Sequence, residues 1–300
     1  MTVRDREVAL GLYCIAGDLL QATVKTSGAE LCSLKTATGL ELIWGGDPAV
    51  WGRQAPHLFP VVGALKGDRL QYKGRTTILP RHGFARDREW SLKRLTAHSC
   101  TLRLTDDEAS RAQYPFPFEL CATFRIDGPA LRVQYDLHNP GEAPLYASLG
   151  AHPAFRWPIH PDLARNAHRL VFEKAETAFL PVLDAKGLLG ASNQPSPLKN
   201  RELQLRDEVF TEDALIFNPV ESRYLRYSAP GSPVLEVSWE GFPQLGLWSK
   251  PGAGFVCIEP WRGYASPAAF EGEFSEKPGV FQVSAGATTT AAYTVRVLPG

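Results

Sequence analysis

The strongest constraint on the fold is an alternation of apolar and polar residues that recurs along the chain. Apolar residues occupy every second position in 131–138, and the same pattern returns in 101–105 and 293–297. A period of two puts the apolar side chains on one face of a β-strand. The 26 glycines and 24 prolines interrupt the apolar segments and leave little room for long helices. The pattern therefore predicts an all-β protein.

Individual elements can also be placed. Segments 120–126 and 131–138, joined through Asp127-Gly128-Pro129-Ala130, predict a β-hairpin. A short helix is predicted from Asp106 or Asp107, either of which can cap it, to Gln113. Further strands are predicted at 8–15, 19–25, 30–34, 40–44, 145–149, 234–239 and 255–258, a second short helix at 267–270, and a long loop at 184–199.

The chain shows no internal repeat and no linker rich in proline and serine. So many strands without a break predict a single domain over residues 1–300, built as one large antiparallel β-sandwich.

Charge and hydropathy exclude several classes of protein. The 32 basic and 32 acidic residues are spread through the chain, which argues against a nucleic-acid partner. The charged segment 1–7 is not followed by the apolar region of a signal peptide, and no apolar run approaches the roughly 20 residues of a membrane helix. We therefore expect a soluble, cytoplasmic protein without a membrane partner. The sequence leaves the oligomeric state open.

The five cysteines give no sign of a disulfide framework or a metal site. Their number is odd, they are far apart, and no Cys-x-x-Cys pair occurs, which favours reduced thiols. Histidine pairs with metal-ligand spacing are also missing from the sequence. Neither a Gly-x-Ser-x-Gly motif nor a phosphate-cradling glycine loop is present. We expect no metal and no cofactor.

Glu259 and His152 are the candidates for proton transfer. Glu259 precedes Pro260, which cannot continue a central ladder, so we expect Glu259 at the end of a strand. The neighbouring Trp261 would disfavour the charged carboxylate and make it a better base. His152, in the segment Gly-Ala-His-Pro-Ala-Phe, can exchange a proton near neutrality. The alternatives are an exposed edge carboxylate and a histidine bonded to a turn carbonyl.

A second group of residues is suited to binding a polyhydroxylated ligand. His82 and Arg86 are separated by Gly83, so we expect them in a loop. Imidazole and guanidinium donate to hydroxyls, and arginine can also bind a phosphate through two hydrogen bonds. The alternative is a surface turn with an ordinary salt bridge. Arg53 and Asp213 are weaker candidates. Four tryptophans could stack on a sugar or equally pack in the core: Trp44, Trp51, Trp248 and Trp261.

Taken together, these segments resemble the aldose 1-epimerase (galactose mutarotase-like) family. Arg-His-Gly-Phe at 81–84 looks like the family's His-Gly-Phe motif, 150–155 like its second histidine segment, and Cys-Ile-Glu-Pro-Trp at 257–261 like its carboxylate segment. Typical galactose mutarotases carry an Asn-Arg dipeptide ahead of His-Gly-Phe. This chain instead has Arg53 before a Phe-Pro…Gly segment, which is similar to the subgroup of LacX-like proteins and hexose-6-phosphate mutarotases.

The resemblance implies a β-supersandwich fold and an aldose 1-epimerase that needs no cofactor. It implies Glu259 as general base and His152 as general acid, with His82 and Asp213 holding substrate hydroxyls. Arg53 and Arg86 would then bind a sugar or its phosphate, and the partner would be a small sugar or sugar phosphate. The sequence does not identify which sugar.

Two alternatives use the same residues. A non-catalytic carbohydrate-binding or sugar-sensing protein could keep the aromatic and hydroxyl-binding side chains, although it would not need the acid–base pair. A glycosidase or lyase would usually need a second catalytic carboxylate or a metal, and Asp213 is the only candidate for that carboxylate.

Overall fold

The computed structural model describes residues 11–300, which form β-strands with one short α-helix and five short 3₁₀ helices. The strands are β1 (Leu12–Ala16), β2 (Leu20–Lys25), β3 (Leu31–Thr36), β4 (His57–Leu58), β5 (Arg69–Tyr72), β6 (Arg75–Ile78), β7 (Ser91–Leu95), β8 (Ser99–Thr105), β9 (Glu119–Asp127), β10 (Ala130–His138), β11 (Leu145–Ala147), β12 (Leu149–Ala151), β13 (Ala154–Arg156), β14 (Arg169–Phe172), β15 (Phe179–Leu183), β16 (Leu189–Pro195), β17 (Glu202–Gln204), β18 (Leu215–Phe217), β19 (Tyr224–Ser228), β20 (Val234–Glu240), β21 (Gln244–Trp248), β22 (Phe255–Arg262), β23 (Phe281–Val283) and β24 (Thr288–Leu298). The α-helix is α1 (Glu108–Gln113), and the 3₁₀ helices are Lys66–Asp68, Ala85–Asp87, Arg165–Ala167, Asp207–Phe210 and Phe274–Glu276.

The all-β prediction is confirmed, and so are its best-defined elements. Strands β9 and β10 form the predicted hairpin, with Asp127 opposite Ala130 at the turn. Helix α1 is capped by Asp107, whose carboxylate accepts the Ser110 amide at 2.6 Å, while the Ser110 hydroxyl accepts the Asp107 amide at 2.8 Å. This reciprocal capping satisfies two amides at the helix start.

The predicted strand at 40–44 is wrong, because this segment makes only two isolated bridges, at Glu41 and Ile43. The Glu41 carboxylate accepts the amides of Leu34 and Ile43, and a side chain thereby replaces part of the backbone ladder. The predicted helix at 267–270 is a turn instead, where Ala268 donates its amide to the Leu189 carbonyl.

Three further predictions need smaller corrections. The predicted loop 184–199 contains β16, which pairs with β15. The predicted strand 145–149 is divided into β11 and β12, which belong to different sheets. Of the predicted strand 8–15, residues 8–10 lie outside the described residues, and the rest corresponds to β1.

Two large sheets carry the fold. The first has nine strands in the order β17-β14-β19-β20-β24-β10-β9-β8-β7, and the second has the order β18-β21-β22-β12-β4 with β13 also paired to β22. Their apolar faces contribute to one continuous core. His57 of β4 and Tyr135 of β10 join the sheets through a 2.8 Å hydrogen bond between Nδ1 and the phenol.

Strand β22 is buried on both of its faces, and the candidate site lies on the face that is turned away from the main core. Val256 and Ile258 belong to the main core, whereas Cys257 and Glu259 point to the opposite face of the sheet. The expectation that Glu259 ends a strand is wrong, since β22 continues to Arg262. Pro260 is tolerated because the ladder from β22 to β12 and β13 is interrupted beside it.

The cysteines of the described residues are free thiols. Cys100, Cys121 and Cys257 are buried, as expected, while Cys14 and Cys32 are half-buried. No helix within residues 11–300 is long and apolar enough to cross a membrane.

Candidate active site

His152 and Glu259 face each other because of the register of three strands. β12 pairs Gly150 with Trp261, and β13 pairs Ala154 with Cys257 on the same strand β22. The interruption between β12 and β13 therefore brings residue 152 opposite residue 259. The His152 Nε2 lies 3.2 Å from the Glu259 Oε2. The structure brings together the two residues that the sequence predicted for proton transfer.

The environment of this pair disfavours charge on both groups. Glu259 is 1% exposed and His152 is 8% exposed. Burial, reinforced by the charge of Asp213, raises the pKa of Glu259 well above its usual value, while Trp261 and Arg81 oppose the shift. Burial lowers the pKa of His152 to about 3. Both shifts have the same physical consequence, because burial favours a neutral carboxyl group on Glu259 and a neutral imidazole on His152.

The pair also leaves hydrogen-bonding capacity for a ligand. Within the described residues, His152 Nδ1 and both carboxylate oxygens of Glu259 have no hydrogen-bond partner. Buried polar atoms are normally satisfied, and exceptions cluster at functional sites. These atoms are therefore suited to bind hydroxyl groups that enter from the adjoining cavity.

His82 is held in a strained loop that fixes its tautomer. Its backbone adopts a φ of 67°, and its amide donates to the Gly63 carbonyl at 2.9 Å. The Gly63 amide in turn donates to His82 Nδ1 at 3.2 Å, so the ring proton is on Nε2. The next residue must be glycine, because a Cβ at Gly83 would lie 2.6 Å from the Phe59 carbonyl carbon. The motif thus gives a fixed imidazole N–H donor.

Arg81, Arg86 and Asp213 are the other charged residues of the site. Arg86 Nη2 donates to the Arg81 carbonyl at 2.8 Å, and burial lowers the pKa of Arg86 to about 10. Arg81 Nη2 lies 3.6 Å from Asp213 Oδ2. Asp213 has a φ of 73°, and its carboxylate accepts the Ala214 amide at 2.8 Å. Sequence reasoning missed Arg81, although its position at the start of the Arg-His-Gly-Phe motif was an available signal.

Arg53 is the predicted site residue that the structure does not bring to the cavity wall. Its Nη2 pairs with Asp87 Oδ1 at 2.6 Å, and its Nη1 donates to the Arg86 carbonyl at 3.4 Å. Arg53 therefore contacts the segment that carries Arg86 and does not line the site itself.

A cavity of about 340 Å³ connects these residues. Its walls include five of the six predicted site residues together with Arg81, three tryptophans and several apolar side chains: His82, Arg86, His152, Asp213, Glu259, Trp51, Trp248, Trp261, Val62, Leu183 and Ile216. Trp51 stacks on the His152 ring at 5.1 Å between centroids, and Trp248 meets that ring edge-on at 5.7 Å. Trp44 lies outside the wall and donates its indole N–H to the Trp51 carbonyl at 2.9 Å.

Trp261 forms the floor of the cavity because two neighbouring strands carry glycine beneath it. A Cβ at Gly150 of β12 would lie 2.8 Å from the Trp261 ring. A Cβ at Gly246 of β21 would lie 2.5 Å from Trp261 Cη2. Real Cβ atoms do not come this close, so both glycines are required for the present position of the indole.

The arrangement can move protons on a neutral or anionic polyol. One acid–base pair lies at the base of a cavity with aromatic walls, a fixed imidazole donor and two guanidinium groups opposed by one further carboxylate. Aromatic walls with a few convergent polar groups are typical of sites for small ligands, and the cavity is large enough for one sugar ring.

Known proteins are similar to this chain in sequence and fold. The family model described as aldose 1-epimerase matches residues 12–282. Protein LacX of Lactococcus lactis subsp. lactis is 29% identical over 294 residues, covering 95% of this chain and 98% of LacX. Two solved structures are similar over nearly their whole length. A galactose mutarotase related enzyme from Lactobacillus acidophilus has a TM-score of 0.90 and 28% identity, covering 95% of this chain and 97% of the other. A galactose mutarotase-like protein from Lactobacillus casei has a TM-score of 0.89 and 25% identity, covering 96% and 100%. These similarities confirm the predicted fold.

Proposed function

The chain belongs to the aldose 1-epimerase family, and we propose that it interconverts the α and β anomers of a hexose or hexose phosphate by general acid–base ring opening. The observation that carries the proposal is the buried pair of His152 and Glu259, 3.2 Å apart at the base of a cavity with aromatic walls. A protein that only binds sugars has no need for a carboxyl group and an imidazole whose charges are both disfavoured by burial.

The reaction needs one base and one acid. The base removes the proton of the C1 hydroxyl while the acid protonates the ring oxygen, so that the bond from C1 to the ring oxygen breaks and an aldehyde forms. The aldehyde turns about the C1–C2 bond, and the reverse steps close the ring on its other face. We assign the base to Glu259 and the acid to His152. Each such group contributes about 10²–10⁴-fold to the rate.

A shared proton makes this assignment compatible with the pKa shifts. Burial favours the proton on Glu259 in the free protein. Its transfer to His152 requires the Oε2–Nε2 separation of 3.2 Å to close into a hydrogen bond, since neither carboxylate oxygen has a hydrogen-bond partner within the described residues. A pair with one proton contains one donor and one acceptor in either arrangement, so it can serve both directions of the anomerisation. Sugar hydroxyls that bond to the unpaired carboxylate oxygens favour the ionised carboxylate when substrate binds.

The remaining wall residues orient the ring. The Nε2–H of His82 donates to a sugar hydroxyl, Asp213 accepts from one, and Trp51 and Trp248 pack on apolar ring faces. Arg81 and Arg86 are the cations that would meet a phosphate ester. Positioning of this kind lowers the barrier further, because the reacting groups are held in place before reaction.

Polarimetry on freshly dissolved α-D-glucose, α-D-galactose and α-D-glucose 6-phosphate tests the proposal. We expect the wild type to accelerate the decay of optical rotation for at least one of these sugars, and Glu259→Gln to lose about 10²–10⁴-fold of the catalysed rate. The control is Glu142→Gln, since Glu142 is exposed. A Glu259→Gln protein with the wild-type rate would refute the mechanism. Sugar binding by calorimetry without any acceleration would indicate a carbohydrate-binding protein instead.

A further inference from the structure

Cys257 lies beside the acid–base pair, although the proposed reaction does not use it. It precedes Glu259 by two residues in β22, so both side chains leave the strand on the same face. Its thiol is fully buried and does not line the cavity. No sequence motif connects this cysteine with His152, which is more than a hundred positions away.

Three donor atoms of different chemistry meet at this point. One ligand atom each from His152, Cys257 and Glu259 lies within 4.8 Å of the other two, and the separation of His152 Nε2 and Glu259 Oε2 is 3.2 Å. All three residues are buried, and both oxygens of Glu259 have no hydrogen-bond partner within the described residues. The unsatisfied carboxylate is an independent sign that this cluster accommodates a further group.

We infer that His152, Cys257 and Glu259 form an inhibitory site for a thiophilic divalent cation of the Zn²⁺ class. Zn²⁺ binds sulfur at about 2.3 Å and nitrogen or oxygen at about 2.0–2.2 Å, so tetrahedral ligand atoms are roughly 3.3–3.7 Å apart. The imidazole and carboxylate atoms are already near this spacing. A side-chain adjustment on the order of 1 Å brings the sulfur into the set. A cavity water or a sugar hydroxyl would complete the coordination.

The donor set selects the class of ion. A combined nitrogen, sulfur and carboxylate set suits Zn²⁺ and Co²⁺, whereas Mg²⁺ and Ca²⁺ prefer oxygen ligands alone. On binding, the Cys257 thiol and the Glu259 carboxyl group each release a proton to solvent, and the resulting thiolate and carboxylate together balance the two charges of the ion. Such a neutral cluster is compatible with burial. The bound ion occupies both groups that move protons, so anomerisation stops.

Cobalt spectroscopy tests the site without depending on activity. We expect Co²⁺ to produce a near-ultraviolet thiolate-to-cobalt absorption band with the wild type and with the control Cys100→Ser, whose cysteine is buried in β8. The band should be absent from Cys257→Ser and from Cys257→Ala, while the thermal unfolding transition of at least one of the two variants matches that of the wild type and shows that it is folded. A wild type without the band, or a band that survives in both Cys257 variants, would overturn the inference.

Inhibition provides a second readout. We expect Zn²⁺ to suppress anomerisation by the wild type. Cys257→Ala should keep the basal rate and should need a Zn²⁺ concentration at least about tenfold higher for the same degree of inhibition. Equal Zn²⁺ sensitivity of the two proteins would exclude Cys257 as a ligand. If the wild type proves inactive on every sugar, the cobalt band still decides the metal site, so this inference and the proposed function can fail separately.

Discussion

Replacing Gly246 by alanine tests whether the position of Trp261 controls the reaction. The new Cβ would lie 2.5 Å from Trp261 Cη2, whereas carbon atoms pack at about 3.5–4.0 Å. The indole must therefore move by on the order of 1 Å. Gly246 is also the β21 residue opposite Glu259, so the displacement occurs next to the acid–base pair.

A shift of about 1 Å near reacting groups can cost about 10²-fold in rate, and overpacking a filled site costs about 1–3 kcal/mol of stability. We expect Gly246→Ala to lower kcat/KM in the polarimetric assay by about 10²-fold. Thermal unfolding and tryptophan fluorescence on the same samples would separate the loss of activity from unfolding. Gly45→Ala is the control, because a Cβ there meets no atom within 4 Å.

A double-mutant cycle makes the steric argument refutable. The clashing atoms belong to the six-membered part of the indole, which Trp261→Phe removes. In the phenylalanine background we therefore expect Gly246→Ala to cost little, because the two substitutions share one contact. Wild-type kcat/KM in Gly246→Ala, or an equal cost in both backgrounds, would show that the indole position is not the cause.

Three further predictions follow from the charges. Burial lowers the pKa of His152 to about 3 and raises that of Glu259. We therefore expect kcat/KM to stay level as the pH falls below 6.5, and to decrease only at a pH above the raised pKa of Glu259. A decrease of kcat/KM on the acid side with a midpoint near pH 6.5, in protein that is still folded, would contradict this. Burial lowers the pKa of Lys277 to about 7, so between pH 7 and 10 the unfolded chain binds more protons and stability rises with pH by up to about 1.4 kcal/mol per unit. Lys277→Met should flatten that rise in chemical denaturation, and an unchanged slope would argue against it. If the hexose phosphate is a substrate, Arg81→Gln should raise its KM about tenfold or more relative to glucose, whereas Arg53→Gln should change this ratio less; equal ratios in the two variants would remove Arg81 from phosphate binding.

The all-β fold could be read from the sequence because its determinants are local. Alternation in 131–138 specifies a strand with one buried face, and Gly128-Pro129 specifies the turn that closes the hairpin. The same local logic failed at 40–44, where the Glu41 side chain takes over backbone amides, and at Pro260, where an interrupted ladder tolerates proline inside a strand.

The individual candidates for the site were also visible in the sequence, but their relation to one another was not. Local motifs pointed to His82, His152 and Glu259, yet only the pairing of β12 and β13 with β22 places residue 152 opposite residue 259. Only the tertiary structure shows that Arg53 forms an ion pair with Asp87 and that Arg81 lines the cavity. The physical reason is that alternation and turn chemistry act over a few residues. Proton sharing, burial and metal-ligand spacing depend on distances between residues that lie far apart in the chain.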